Sequence, residues 1–151
     1  MSPDERFMTE ALMLAQEAAA DGEVPVGAVV VRDGMIVGRG RNRRERDKNA
    51  LAHAEIEAIG QACRTLGGWR LSGCDLYVTL EPCPMCAGAI INARIERVIQ
   101  GTADPKAGSC GSLVDLFQLP YNHKPVCVSG VMEEECRQVL KEFFRSLRRR
   151  A

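Results

Sequence analysis

Asp75-Leu76-Tyr77-Val78-Thr79-Leu80-Glu81-Pro82-Cys83-Pro84-Met85-Cys86 is the stretch on which the fold turns. Its first half, Asp75 to Leu80, reads as a strand. The chain then runs without a spacer into Glu81-Pro82-Cys83-Pro84. Pro84 suits the first turn of a helix reaching about Ala93, because the N–H it lacks would be unpaired there anyway. A strand delivered directly into a helix start points to a layered α/β domain.

Working outward, Arg97 to Gly101 reads as a fourth strand and Asp104 to Ser112 as a Gly/Ser-rich loop. A short apolar piece, Leu113 to Leu119, has helical character. Val126 to Ser129 is a fifth strand and Glu133 to Arg149 a final helix. Upstream, a helical pattern spans about Ala52 to Leu66 and stops at Gly67-Gly68. Arg39 to Lys48 is polar and irregular, so it is expected to be a loop. Val26–Val31 and Met35–Gly38 form two short apolar stretches joined by Asp33-Gly34, a hairpin signal. Ser2-Pro3-Asp4-Glu5 opens the first helix as a capping box with Pro in its first turn. Phe7, Met8, Ala11, Leu12, Ala15, Ala18 and Ala19 then recur at helical spacing until Asp21-Gly22. Strands alternating with helices, after an opening hairpin, predict a mixed five-stranded sheet. At 151 residues the chain suits one domain, residues 1–151, with a core that needs no disulfide staples.

The composition, 46% hydrophobic and 26% charged, excludes a disordered or fibrous chain. No apolar run reaches the length of a membrane span, and Met1 to Glu5 is not a basic segment leading into an apolar one. A cytoplasmic protein is expected, with its seven cysteines reduced. Twenty Lys and Arg balance twenty Asp and Glu, a sum that by itself argues against a nucleic-acid partner. The distribution argues otherwise. Arg39 to Lys48 holds six basic and two acidic residues, Lys141 to Ala151 five and one, so each carries +4 and the remainder −8.

Two short signals carry chemistry. His53-Ala54-Glu55 and Pro82-Cys83-Pro84-Met85-Cys86 each open a helix after a break. A Cys-x2-Cys on a first helical turn brings two sulfurs near one face, and the helix N-terminus favours thiolate. Two thiolates and an imidazole hold Zn²⁺ with one tetrahedral position open, the arrangement of a catalytic site. Glu55 lies roughly 200° around the helix from His53, so it serves better beside the metal, exchanging a proton with bound water, than as a ligand. Cys63, Cys74, Cys110, Cys127 and Cys136 are scattered singly, and any one of them closing the site would make the zinc structural.

These motifs resemble those of the zinc-dependent nucleoside and nucleobase deaminases. The likeness extends over nearly the whole chain to the bacterial tRNA adenosine deaminases. It rests on Glu23-Val24-Pro25-Val26-Gly27-Ala28, Asn42, Ala52 to Glu55, Leu76 to Ala89, Gly111-Ser112, Asn122-His123 and Phe143-Phe144-Arg145. The resemblance implies a three-layer α/β/α, cytidine deaminase-like domain and one Zn²⁺ per subunit on His53, Cys83 and Cys86. It also implies a homodimer, no membrane association, and tRNA, through its anticodon stem-loop, as the partner. By the same resemblance, zinc-bound hydroxide attacks C6 of the wobble adenosine while Glu55 shuttles protons, giving inosine and ammonia. Asn42 would hydrogen-bond the flipped base, Val26 wall its pocket, and the Ala54 N–H face the substrate. Lys106, Phe144 and Arg148 would touch RNA. Two other readings stay open: a deaminase of free bases or nucleosides, and a non-catalytic RNA-binding domain whose zinc is closed by a fourth cysteine. Glu81 is either an acceptor behind the metal ligands or only an exposed strand end.

Overall fold

The structure is a computed structural model describing residues 1–150. Helix α1 (Pro3–Ala20) begins with the expected capping box: the Glu5 N–H donates to the Ser2 hydroxyl and the Ser2 N–H to the Glu5 carboxylate. Its buried stripe, Phe7, Met8, Ala11, Leu12, Ala15 and Ala18, has the spacing of one helical face. Strands β1 (Gly27–Arg32) and β2 (Met35–Arg41) follow as a hairpin. Asp33 and Gly34 both have positive φ, 51° and 76°, as a two-residue turn of this hand requires.

β2 extends to Arg41, so the polar loop expected from Arg39 begins three residues later. Arg39, Gly40 and Arg41 pair across the hairpin with Val29, Ala28 and Gly27, and their outer edge meets helix α3 (Ala54–Leu66). The Arg39 N–H on the outer edge of β2 donates to the Gln61 side chain at 2.6 Å, and the Arg41 N–H to Glu57 at 3.2 Å. Gly38 and Gly40 admit this close approach, since a Cβ at either would overlap the α3 backbone. The rest of the basic stretch is not all loop either. Arg44–Asp47 forms a single-turn helix, α2, whose Glu45 and Arg46 N–H groups donate to the buried Glu23 carboxylate at 3.1 and 2.8 Å.

Gly67, in the left-handed conformation, ends α3, and β3 (Cys74–Leu80), α4 (Pro84–Asn92) and β4 (Arg97–Thr102) follow. The apolar piece at 113–119 contains one 3-10 turn, Leu116–Gln118, with the Asp115 side chain accepting the Phe117 N–H. β5 (Val126–Ser129) and α5 (Glu133–Arg150) complete the described chain.

The strand order is β2-β1-β3-β4-β5; the first two pairings are antiparallel and the last two parallel. Side chains alternate across the pleat and feed two cores. Val30, Leu76, Val78 and Val98 pack with Ala58 of α3 and Ile90 of α4. Val29, Tyr77 and Ile99 face the other way, onto Phe7, Met8 and Leu12 of α1 and Cys136 of α5. The expected three layers and mixed sheet are present. At the amino ends of β3 and β4, Arg97 pairs with Asp75 at 2.9 Å and Asp4 at 3.1 Å, tying α1 to the sheet. At the carboxyl ends, β3 runs into α4 and leaves a crevice, where sheets of this kind bind ligands. No helix among the described residues is long and apolar enough to cross a membrane.

Candidate active site

His53 and Cys83 are the N-cap residues of α3 and α4, both with extended backbone, and neither side chain caps its own helix. The imidazole and the thiol are therefore free to meet each other. His53 Nδ1 lies 3.7 Å from Cys83 Sγ and 3.4 Å from Cys86 Sγ, and the three donor atoms fall within 4.8 Å of one another. A tetrahedral zinc with its usual bond lengths sets nitrogen and sulfur ligands about 3.5 Å apart, so the donor set fits that ion. Among the described residues this is the one such cluster of three, and no fourth cysteine joins it.

Electrostatics at the cluster follow from convergence. A hydrogen bond from the Cys86 thiol, with one from His53, holds the Cys83 thiol at about 4, well inside the thiolate range. The same contact raises Cys86, and the bond to Cys83 raises His53. Soft donors that share a proton in this way bind a divalent cation with proton release. Glu55, in the first turn of α3, is 4% exposed. Burial pushes its carboxyl up to about 7, against the opposing pull of its own backbone N–H and of His53.

The crevice above the cluster holds about 560 Å³. Its lining brings together His53, Ala54, Glu55, Cys83, Val26, Asn42, Lys106 and Phe144, contributed by six separate segments of chain. Asn42 is anchored at both ends of its amide. Its Nδ2 donates to the Val24 carbonyl at 3.1 Å, and its Oδ1 accepts the Arg44 N–H at 3.2 Å, an Asx-turn. One N–H and one lone pair remain for a ligand. The exposed Lys106 sits on the Asp104–Ser112 loop at the rim. Phe144 stands edge-on to Phe143 with ring centroids 5.4 Å apart. Arg148 lies outside the lining, four residues beyond Phe144 on α5 and on the same helical face, about 6 Å further along the axis.

Arg44, Asp104 and Leu140 also line the crevice, although none of them had a signal of its own in the sequence. Leu140 precedes Phe144 by one helical turn, so the spacing alone placed them together. Glu81 is neither an acceptor behind the metal ligands nor an exposed strand end. It is 2% exposed, and its carboxylate accepts from Asp104, Cys110 and Ser112. Burial raises this carboxyl, but the hydrogen bonds from Ser112, Asp104 and Cys110 outweigh it and hold it below its ordinary value.

The chain is similar in sequence to the tRNA-specific adenosine deaminase of Bacillus subtilis strain 168, with 51% identity over 99% of this chain and 94% of the relative. The enzyme of the same name from Agrobacterium fabrum strain C58 is 47% identical, covering 98% of each chain. A solved structure from work on A-to-I editing by tRNA:A34 deaminases superimposes with a TM-score of 0.87 at 48% identity, over 89% of this chain and 99% of the other. The family model of the MafB19-like deaminases matches residues 2–148. Likeness of this degree over nearly the full length of both chains leaves one placement: the chain belongs to the MafB19-like deaminase family, among its tRNA-specific adenosine deaminases.

Proposed function

We propose that the protein converts adenosine to inosine at the wobble position of tRNA anticodons by hydrolytic deamination. The observation that carries this reading is the placing of a buried carboxylate, Glu55, against three converging soft donors at the floor of a crevice with a basic rim. His53, Cys83 and Cys86 would hold the zinc ion, two of them, His53 and Cys83, also lining the crevice. Bound zinc supplies Lewis acidity that makes water nucleophilic near neutral pH.

The residues of the chain do the rest. Glu55 takes the proton of the attacking water and delivers it to the ring nitrogen beside C6 as the C6–O bond forms. It then takes the proton of the new C6 hydroxyl and passes it to the exocyclic amine, so that the C6 carbonyl forms as the C6–N bond breaks and ammonia leaves. Val26 supplies an apolar wall for the flipped base, and the amide of Asn42, fixed by Val24 and Arg44, reads its edge. The Ala54 N–H, at the first turn of α3, is an orphan donor directed at the substrate. Phe144 offers a ring for stacking, while Lys106 and Arg148 neutralise phosphates.

The same reading makes the protein a cytoplasmic homodimer. Its free cysteines and the exposed Leu113, Val114, Leu119 and Tyr121 of one segment support it. The test is inosine formation on an anticodon stem-loop beside free adenosine, with Glu55→Ala as control. Conversion of the stem-loop alone is expected. Equal turnover of both substrates assigns the site to free nucleosides, and ammonia release unaffected by Glu55→Ala removes the catalytic role of that carboxylate.

A further inference from the structure

Glu81 directly follows β3, two residues before Cys83, and every acceptor position of its carboxylate is used. Oε1 accepts the Asp104 N–H at 3.1 Å and the Ser112 hydroxyl at 2.5 Å. Oε2 accepts the N–H groups of Cys110 and Ser112, each at 3.0 Å. The donors come from both ends of one loop, Asp104 to Ser112, so a single side chain ties its entry to its exit. Gly108 crosses directly over the carboxylate, where a Cβ would overlap the carboxyl carbon and Oε2. Beneath this crossing the Ser109 N–H donates to the Pro82 carbonyl at 2.9 Å, between Glu81 and Cys83. The part of the loop that this knot leaves free, Pro105-Lys106-Ala107, lines the crevice.

We infer that Glu81 is a positioning residue whose carboxylate holds the Asp104–Ser112 loop at its height over the crevice and thereby sets affinity for the RNA, without touching the reacting atoms. The inference rests on the tRNA deaminase reading for its substrate. A carboxylate is needed because only an acceptor-only group meets four donors at once. Glutamine at this place keeps the volume but turns an NH2 toward two of the four donors, leaving them buried and unpaired. No cation lies among the partners; the negative charge is balanced by loop dipoles, so loss of the charge releases the loop rather than an ion pair.

The experiment compares wild type, Glu81→Gln and the milder Ser112→Ala as zinc-loaded protein. Three readouts are taken: zinc content, kcat and KM on an anticodon stem-loop, and the rate of trypsin cleavage after the exposed Lys106, mapped by mass spectrometry. Glu81→Gln is expected to raise KM and the Lys106 cleavage rate about tenfold each, with kcat within about twofold and zinc unchanged. Ser112→Ala, which removes one of the four donors, is expected to move both about threefold. Faster cleavage with an unchanged KM overturns the inference, as does a KM change that comes with zinc loss or an equal fall in kcat. Unchanged cleavage in both variants overturns it too. If the wild type converts no stem-loop, the functional reading has failed, and cleavage at Lys106 still decides whether Glu81 pins the loop.

Discussion

His53 Nδ1 stands 3.4 Å from Cys86 Sγ, although the two residues belong to different helices. Both helices start at the same crevice, so removing any one donor leaves two, and the cluster ceases to be a tripod. Cys86→Ser is expected to lose most bound zinc, measured by elemental analysis, and ammonia release with it. A chelator is expected to inactivate the wild type and added Zn²⁺ to restore it. Because His53 joins Cys83 and Cys86 only in the folded chain, the same chelation is expected to lower the thermal midpoint. A Cys86→Ser protein that keeps stoichiometric zinc would remove Cys86 from the ligand set.

Glu55 is expected to separate chemistry from binding. Glu55→Gln keeps the side-chain volume in a buried position but cannot carry a proton. Its kcat is expected to fall by about 10²–10⁴-fold, the usual worth of a general acid–base group, with stem-loop affinity and zinc content retained. Single-turnover kinetics beside equilibrium binding make the distinction; a parallel loss of affinity would mean that the carboxylate builds the pocket rather than works in it.

The parts of this site that were legible in the sequence are those governed by local backbone rules. Pro84 and the Cys-x2-Cys after it announce a helix start whatever lies elsewhere, and Ser2 with Glu5 caps α1 by contacts three residues apart. What was not legible depends on partners far along the chain. The strand character of Arg39–Arg41 comes from pairing with Gly27–Val29, and their outer-edge N–H groups are taken by Gln61 and Glu57, 22 and 16 residues away. Arg43, the N-cap of α2, makes no side-chain cap bond, and the helix is fastened instead by Glu23. Glu81 looks like any polar strand end until the loop returns to it. Asn42 makes an Asx-turn on the crevice wall, and the turn itself orients the amide.

At the far end of the sheet the Tyr77 hydroxyl donates to the Asp4 carboxylate at 2.6 Å, and Arg97 lies 3.1 Å away. Burial raises Asp4, but these two partners outweigh it and hold the carboxyl below its ordinary value. A depressed folded value means a contribution that is complete above the unfolded value of about 3.9 and vanishes as pH falls through the folded one. Asp4→Asn is therefore expected to cost about 1 kcal/mol at pH 7, discounted for partial exposure, and progressively less below about pH 4. Urea unfolding of both proteins across pH 2–7 checks it; a gap that stays constant into acid would show that the carboxylate charge is not what Tyr77 and Arg97 stabilise.

Arg148 tests whether the basic C-terminal segment meets phosphate. It follows Phe144 by one turn on the same face of α5, so a stem-loop whose base enters the crevice extends toward it. If Arg148 neutralises one phosphate, Arg148→Gln is expected to flatten the plot of log affinity against log salt by about 0.7 to 0.9, the release of one counterion. Arg137, nearer the start of the helix, is the internal control. It is already paired with Glu133 and Glu134, and it does not line the crevice. Arg137→Gln removes the same formal charge from the same helix and is expected to leave the slope unchanged. Equal slopes for both variants would assign any loss of affinity to the net charge of the protein, which falls off with screening and does not depend on where along α5 the arginine stands.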